Sequence, residues 1–238
     1  MNQDPIVLYS DSDLLVINKP AGLLVHKSDY QKKEEKTLVD WLLKNFPAVK
    51  NVGDDPKFRP GIVHRLDRET SGIMLIALNQ DYFSYLKKLF QEKKITKTYL
   101  AIVKGEIKDK KGRIEKPIGI NPGTTKRSTH SSKMSKEAIT NYELIENFKL
   151  NDQDVALVKV FPLTGRTHQI RVHMASINHP VIGDNLYGGK TNTKLADHQM
   201  LHCFSLEFEK ELGRQICFEA EPPDDFKKIA GEVLTMLK

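Results

Sequence analysis

The sequence alternates short apolar segments with clusters of turn-forming residues, and this pattern constrains the fold more than any other feature. Residues 6–9 and 14–17 form two strand-like segments on either side of the turn-rich cluster 10–13. Residues 98–103 are typical of a strand that is buried on both faces. Further strands are predicted at residues 73–78, 138–145, 155–161, 200–208 and 214–220. Because strands outnumber helices, we predict an α+β fold with a large, mixed, mostly antiparallel sheet flanked by helices and loops.

Helices are predicted from capping residues and from apolar positions spaced three and four residues apart. The first begins after Thr37, which is expected to form a capping box with Asp40. The second covers about residues 79–94, and the third about residues 167–177. A C-terminal helix is predicted with Asp224 as its cap.

Length and charge limit the class of protein. The chain has 238 residues and shows no linker that would divide it, so we predict a single domain over residues 1–238. Its 37 Lys and Arg residues outnumber 31 Asp and Glu residues, and the net charge of +6 permits nucleic acid, an anionic membrane or a phosphorylated ligand as partner. The longest apolar run, 73–78, is far shorter than the ~20 residues of a membrane-spanning helix. We therefore expect a cytoplasmic protein without a membrane partner.

Three segments carry candidate chemistry. In the first, Arg65 and Asp67 lie two residues apart between apolar segments, and they form either a structural ion pair or part of a site. In the second, Tyr99 lies in the buried strand and is either a core tyrosine or a site residue. In the third, His168 and Arg171 are neighbours near the start of a predicted helix, which is either an anion site or a solvated basic helix end.

Metal and nucleotide cofactors find no support in the sequence. His198 and His202 are spaced four residues apart, but no HExxH, CxxC or carboxylate cluster accompanies them. Two cysteines are too few for a four-thiolate zinc site or a disulfide framework. The glycine-rich nucleotide motifs and the GxSxG serine elbow are absent as well.

Several ordered segments together resemble the RluA family of RNA pseudouridine synthases, and the resemblance covers nearly the whole chain. The resembling segments are residues 14–22 with 25–26, 61–72, 97–105, 165–173 with 179–184, and 201–202. The resemblance implies the fold of the pseudouridine synthase catalytic domain. It also implies roles for individual residues. Asp67 matches the aspartate that attacks the target uridine, and Tyr99 matches the tyrosine that stacks near the base. Arg171 matches the basic residue that pairs with the aspartate, and Arg65 matches the arginine that enters the RNA where the base has flipped out.

Many members of this family carry an N-terminal S4 RNA-binding domain, for which the sequence leaves no room before its first motif. The catalytic domain is then expected to hold the RNA itself. The basic stretch 104–137, predicted to contain a short hairpin and a mobile loop, is our candidate for part of this contact. Besides Arg65, the predicted RNA-binding residues are Arg166, His168, Lys126, Arg127 and Lys133.

The implied reaction accounts for these residue types. Pseudouridylation breaks the N1–C1′ bond of a uridine, rotates the uracil and rejoins it through C5, so it requires neither a cofactor nor a metal. A nucleophilic carboxylate must be ionised, and a neighbouring guanidinium favours that form. We therefore expect a monomeric isomerase that acts on specific uridines in structured ribosomal or transfer RNA. The alternative is a non-catalytic RNA-binding or RNA-chaperone protein on the same scaffold.

Overall fold

A computed structural model describes residues 3–27, 35–124, 126–189, 195–211 and 213–237. The chain forms two compact units. The first consists of residues 1–96 and 203–221, and the second of residues 97–202 and 222–238. The single domain over residues 1–238 stays a prediction, and each unit is described by itself below.

Strands and helices are distributed over the whole described chain. The strands are β1 (Ile6–Ser10), β2 (Leu14–Lys19), β3 (Ser71–Ala77), β4 (Thr96–Lys104), β5 (Lys111–Glu115), β6 (Gly119–Ile120), β7 (Arg127–Ser128), β8 (Ile139–Leu150), β9 (Gln153–Pro162), β10 (Leu201–Glu211) and β11 (Arg214–Glu219). The α-helices are α1 (Leu38–Asn45), α2 (Gln80–Gln91), α3 (Gln169–Ser176) and α4 (Asp224–Ala230). Short 3-10 helices cover Pro47–Asn51 and Gly231–Leu237. The predicted α+β class is confirmed.

The first unit is built on strands in the order β1-β2-β3-β10-β11. β2 pairs with β3 in antiparallel register, with Val16 opposite Leu75. All seven residues of β3 are buried, because its apolar sequence supplies side chains to both faces of the sheet. α1 begins as predicted, since Thr37 and Asp40 form a reciprocal capping box.

The second unit is built on antiparallel strands in the order β4-β9-β8-β5. Its core lies between this sheet and α3, where Val103, Val158 and Met174 are buried together. Burial of such aliphatic side chains contributes about 1.5–3 kcal/mol each to folding. The core thereby holds α3, which carries Arg171, against the sheet.

The basic stretch 104–137 contains more strand than we predicted. β5 pairs with β8, and the predicted short hairpin is formed by β6 and β7. We call β6, β7 and the described residues between them, 121–124 and 126, the basic hairpin, because they include Lys126 and Arg127. The segment after the hairpin lies beside β6, since the backbone N–H of Ile120 donates to the carbonyl of Lys133 at 2.9 Å.

Two helix starts differ from the predicted ones. Pro223 is the N-cap of α4 and Asp224 is its first residue, so the cap predicted at Asp224 is wrong by one position. Pro223 has the extended backbone of an N-cap. Asp224 still places a carboxylate in the first turn, where it interacts favourably with the helix dipole. α3 begins at Gln169 because His168 adopts a left-handed conformation with φ 58°. No helix in the described ranges is both long and apolar enough to cross a membrane.

Gly72 supplies a test of the packing between β3 and β10. Its φ is +116°, and an added Cβ would lie 2.5 and 2.7 Å from the backbone N and Cα of Cys203 in β10. We expect Gly72→Ala to lower the free energy of unfolding by about 2–4 kcal/mol, measured by urea denaturation, because backbone atoms cannot move aside as side chains can. Gly165→Ala is the control, since its Cβ would meet nothing within 4 Å. Equal stability of the two variants would contradict this packing.

Candidate active site

In the first unit, Asp67 lies in the loop that leads into β3. Gly61 anchors the beginning of this segment, because it donates to Val52 and its carbonyl accepts from Ala77. Asp67 itself is half-buried, and its carbonyl accepts from the backbone N–H of Thr70 at 3.2 Å in a tight turn. The carboxylate that we predicted as nucleophile is therefore presented on a turn held at its base by backbone hydrogen bonds.

Lys19 braces this turn from inside the first unit. Its side chain is 0% exposed, and its Nζ donates to the carbonyls of Pro20, Leu23 and Arg68 at 2.8–2.9 Å. The Arg68 carbonyl also accepts from the backbone N–H of Gly22 at 2.9 Å. One ammonium group thus connects the segment after β2 to the residue that follows Asp67.

Burial and nearby carboxylates have opposite effects on the pKa of Lys19. Burial lowers the pKa of Lys19 to about 7, and the charges of Glu69 and Asp67 oppose this shift. Lys19 thus lies within electrostatic range of the carboxylate that we predicted as the nucleophile.

Arg65 is exposed beside a neutral histidine. The Nη1 of Arg65 lies 3.3 Å from Nε2 of His26. Burial and the charges of Arg65 and Arg59 lower the pKa of His26 to about 4, so near neutrality the imidazole is uncharged and its Nε2 accepts the arginine N–H. His26 thereby restrains the arginine that we predicted to enter the RNA.

In the second unit, Arg171 forms a buried ion pair with Asp184. Nε and Nη2 of Arg171 donate to the two carboxylate oxygens of Asp184 at 2.7 and 2.9 Å, and the residues are 6% and 1% exposed. Oδ1 of Asp184 also accepts from the backbone N–H groups of Leu186 and Tyr187. Burial raises the pKa of Asp184, but hydrogen bonds and the charge of Arg171 outweigh burial, and its pKa lies below the ordinary value. The guanidinium is held in one orientation by this bidentate geometry.

Tyr187 packs against the same guanidinium. Its ring centre lies 5.1 Å from Cζ of Arg171, within the range of a cation–π interaction. Its hydroxyl lies 2.9 Å from Nδ1 of His168 and accepts from the backbone N–H of Arg127 at 2.9 Å. Tyr187 therefore contacts both α3 and the basic hairpin.

The other predicted residues of the second unit lie on its sheet and its loops. Tyr99 is half-buried on β4 and packs against the core of the unit. Arg166 is exposed, and its Nε donates to the carbonyl of Glu137 at 2.9 Å. Lys126 and Lys133 are exposed as well.

The predicted residues are thus divided between the units. The first unit brings Arg65 and Asp67 into one loop, and the second holds Tyr99, Arg166, His168, Arg171, Lys126, Arg127 and Lys133. Our sequence reasoning assigned no role to Lys19, His26, Asp184 or Tyr187. Tyr187 gave no sequence signal because its hydrogen-bond partner Arg127 is 60 positions away. For Lys19, a lysine at the end of an apolar strand was a signal that we did not use.

The metal-site alternative gains no support from the described ranges. They contain no group of three or more His, Cys, Asp or Glu residues that could hold a metal ion. Nε2 of His198 instead lies 2.5 Å from a carboxylate oxygen of Asp225, and His202 is buried beside the ring of Phe226. These histidines have structural neighbours in the second unit.

Lys19 predicts a pH-dependent stability. Above pH 7 the native lysine loses its proton, whereas the unfolded chain keeps it up to the ordinary pKa of 10.5, so the unfolded state binds more protons in this range. We expect the free energy of unfolding of the parent, relative to that of Lys19→Met, to rise between pH 7 and 10 by at most about 1.4 kcal/mol per pH unit. Urea denaturation at several pH values measures this difference. Lys88→Met, at an exposed position of α2, is the control, and a parent curve parallel to that of Lys19→Met would contradict the prediction.

Comparison with known proteins identifies relatives whose matches cover most of the chain. The model of the RNA pseudouridylate synthase family matches residues 13–176. An uncharacterized RNA pseudouridine synthase of Aquifex aeolicus is 40% identical over 231 residues, which cover 94% of this chain and 71% of that protein. Ribosomal large subunit pseudouridine synthase D of Borreliella burgdorferi is 37% identical, and the match covers 85% of this chain and 60% of that protein. The chain thus spans 60% to 71% of the length of these curated relatives.

Solved structures agree with these matches. Human RNA pseudouridylate synthase domain containing 1 is similar with a TM-score of 0.74 and 29% identity, over 94% of this chain and 85% of that one. Human RNA pseudouridylate synthase domain containing 4 is 24% identical with a TM-score of 0.73, over 96% of this chain and 93% of that one, and shows the fold alone. The resemblance predicted from the motifs is confirmed: the chain belongs to the RNA pseudouridylate synthase family, whose members are isomerases that modify RNA.

Proposed function

We propose that this protein converts specific uridines of structured RNA to pseudouridine, with Asp67 as the nucleophile. The observation that carries the proposal is the setting of Asp67, on a turn braced by the buried Lys19 side chain, within the residues that the family model matches. In the reaction the N1–C1′ bond breaks and a C5–C1′ bond forms. N1 gains a proton and C5 loses one, so atoms and charge balance without a co-reactant.

The other residues have roles that suit their local settings. Tyr99 presents a half-buried ring for stacking on the base, and its hydroxyl can assist removal of the C5 proton. Arg171 acts as a fixed cation, because Asp184 orients its guanidinium. Arg65 is exposed and restrained by His26, which suits an arginine that takes the place of a flipped base.

The substrate class is proposed from the names of relatives. The proteins of Borreliella burgdorferi and Vibrio cholerae are both named ribosomal large subunit pseudouridine synthase D. We therefore propose large-subunit ribosomal RNA as the substrate, and transfer RNA as the competing one. Pseudouridine mapping of total RNA from a strain that lacks the gene distinguishes the two, since the missing sites lie in one RNA or the other.

Asp67→Asn tests the nucleophile. An amide has nearly the shape of the carboxylate but cannot attack the nucleotide, so we expect the rate of pseudouridine formation to fall by at least about 10³-fold. RNA binding and thermal stability should stay near those of the parent. The rate is measured by tritium release from large-subunit ribosomal RNA transcribed with uridine labelled at C5.

Asp54→Asn is the matched control, because Asp54 is an exposed aspartate paired with Lys87 elsewhere in the first unit. It should release tritium at the parent rate. Turnover by Asp67→Asn near the parent rate would falsify Asp67 as the nucleophile. A parent protein that binds RNA but releases no tritium from any RNA would favour the non-catalytic alternative instead.

The basic residues near the hairpin predict a salt-dependent contact with RNA. Each lysine or arginine that neutralises a phosphate adds about 0.7–0.9 to the slope of log affinity against log salt concentration. Replacing Lys126, Arg127 and Lys133 together by Ala should therefore weaken binding and lower that slope by about 2 to 3. The control replaces three exposed lysines of the first unit, Lys44, Lys50 and Lys57, by Ala. A slope unchanged by the first triple variant would rule out this contact.

A further inference from the structure

The hydroxyl of Tyr187 lies between the basic hairpin and the start of α3 in the second unit. It accepts a hydrogen bond from the backbone N–H of Arg127 in the basic hairpin at 2.9 Å. It also lies 2.9 Å from Nδ1 of His168, the N-cap residue of α3. A hydroxyl can accept one bond and donate another, so it satisfies both neighbours at once.

The remainder of Tyr187 contacts the buried ion pair. Its backbone N–H donates to Oδ1 of Asp184 at 3.1 Å, and its ring lies against the guanidinium of Arg171. One residue thus contacts the hairpin through its hydroxyl and the Arg171–Asp184 pair through its ring and backbone. The tyrosine therefore links the hairpin to the packing of Arg171.

His168 makes the start of α3 sensitive to this contact. Its φ of 58° and ψ of 20° place a non-glycine residue in the left-handed region, which costs on the order of 1 kcal/mol. The carbonyl of His168 accepts from the N–H of Val172 at 2.9 Å and so belongs to the first turn of α3. Arg171 lies in the same turn. The strained conformation persists only where neighbours hold it, and the Tyr187 hydroxyl is one of those neighbours.

Arg127 gives the hairpin a group that responds to an anion. The residue is half-buried, and its Nε is buried without a hydrogen-bond partner among the residues that the structure describes. An unsatisfied donor on a charged group is costly in the absence of an acceptor. A planar guanidinium suits a phosphate oxygen pair, so RNA is a ligand of the matching chemistry. A phosphate drawn to this side chain acts on the same residue whose backbone N–H bonds to Tyr187.

We propose that Tyr187 is a positioning residue that couples RNA binding at the basic hairpin to the geometry of Arg171. The inference rests on the proposed function, since Arg171 is taken as the fixed cation of that reaction. RNA bound at Arg127 fixes the position of the hairpin, and the hairpin positions the Tyr187 hydroxyl. The tyrosine in turn positions the start of α3 and the guanidinium of Arg171. Arg127 then contributes to kcat as well as to RNA affinity, although it lies outside the reacting groups.

Tyr187→Phe isolates this role, because it keeps the ring on Arg171 and removes only the hydroxyl. With large-subunit ribosomal RNA labelled at C5 of uridine, we expect kcat to fall about tenfold while KM changes less than threefold. Arg127→Ala in the parent should lower kcat about fivefold and raise KM. In the Tyr187→Phe background the same Arg127→Ala change should raise KM equally and lower kcat no further. Additive effects of the two changes on kcat would overturn the coupling.

The matched control is Tyr85→Phe, which removes a tyrosine hydroxyl that donates to the carbonyl of Glu209 at 2.6 Å in the first unit. Its kcat should equal that of the parent. If Tyr187→Phe fails to fold, Arg127→Ala alone decides, since a change in KM without a change in kcat contradicts the coupling. If the parent is active but the variants show the contradicting kinetics, only the coupling is overturned. If the parent makes no pseudouridine, the proposed function is overturned.

Discussion

A charge removed from water must be met by charges or dipoles of the protein, and this constraint acts on a buried basic side chain in each compact unit, Lys19 in the first and Arg171 in the second. In the first unit the ammonium of Lys19 is met by three backbone carbonyls. In the second unit the guanidinium of Arg171 is met by the carboxylate of Asp184. Because these partners come from loops, satisfying each charge also fixes the path of a loop. The proposed catalytic residues depend on this effect: the Lys19 brace holds the turn of Asp67, and the pair with Asp184 holds Arg171.

The basic residues of the protein therefore serve two purposes that net charge does not distinguish. Arg171 and Lys19 are buried and structural in their immediate contacts, although they bear on the proposed reaction. Lys126 and Lys133 are exposed and suited to RNA phosphates. Arg127 combines the two settings, since the residue is half-buried with a buried Nε while its backbone N–H bonds to Tyr187. A family that acts on RNA needs both exposed and buried basic residues. The exposed ones bind the RNA phosphate backbone, and the buried ones orient the reacting groups.

Local signals predicted the elements whose causes are local. The capping box of Thr37 and Asp40 lies within four residues and was predicted correctly, as was the buried strand β4. The cap of the C-terminal helix was predicted one residue too late, at Asp224 instead of Pro223, and Gly231, with φ 56°, ends α4 before the chain continues as a 3-10 helix. Asp184 and Tyr187 received no role, because the contacts that define them, with Arg171 13 residues away and Arg127 60 residues away, follow no local periodic pattern.

The sequence by itself determined the fold class and the family, because strand patterns, caps and motif spacing are written in consecutive residues. It also singled out Asp67, Tyr99 and Arg171 through the motifs that contain them. Only the tertiary structure decided which groups surround these residues: the carbonyls around Lys19, the carboxylate on Arg171 and the tyrosine hydroxyl between hairpin and helix. The physical reason is that the free energy of a buried polar group depends on its partners in space, and chain folding brings those partners together from distant positions.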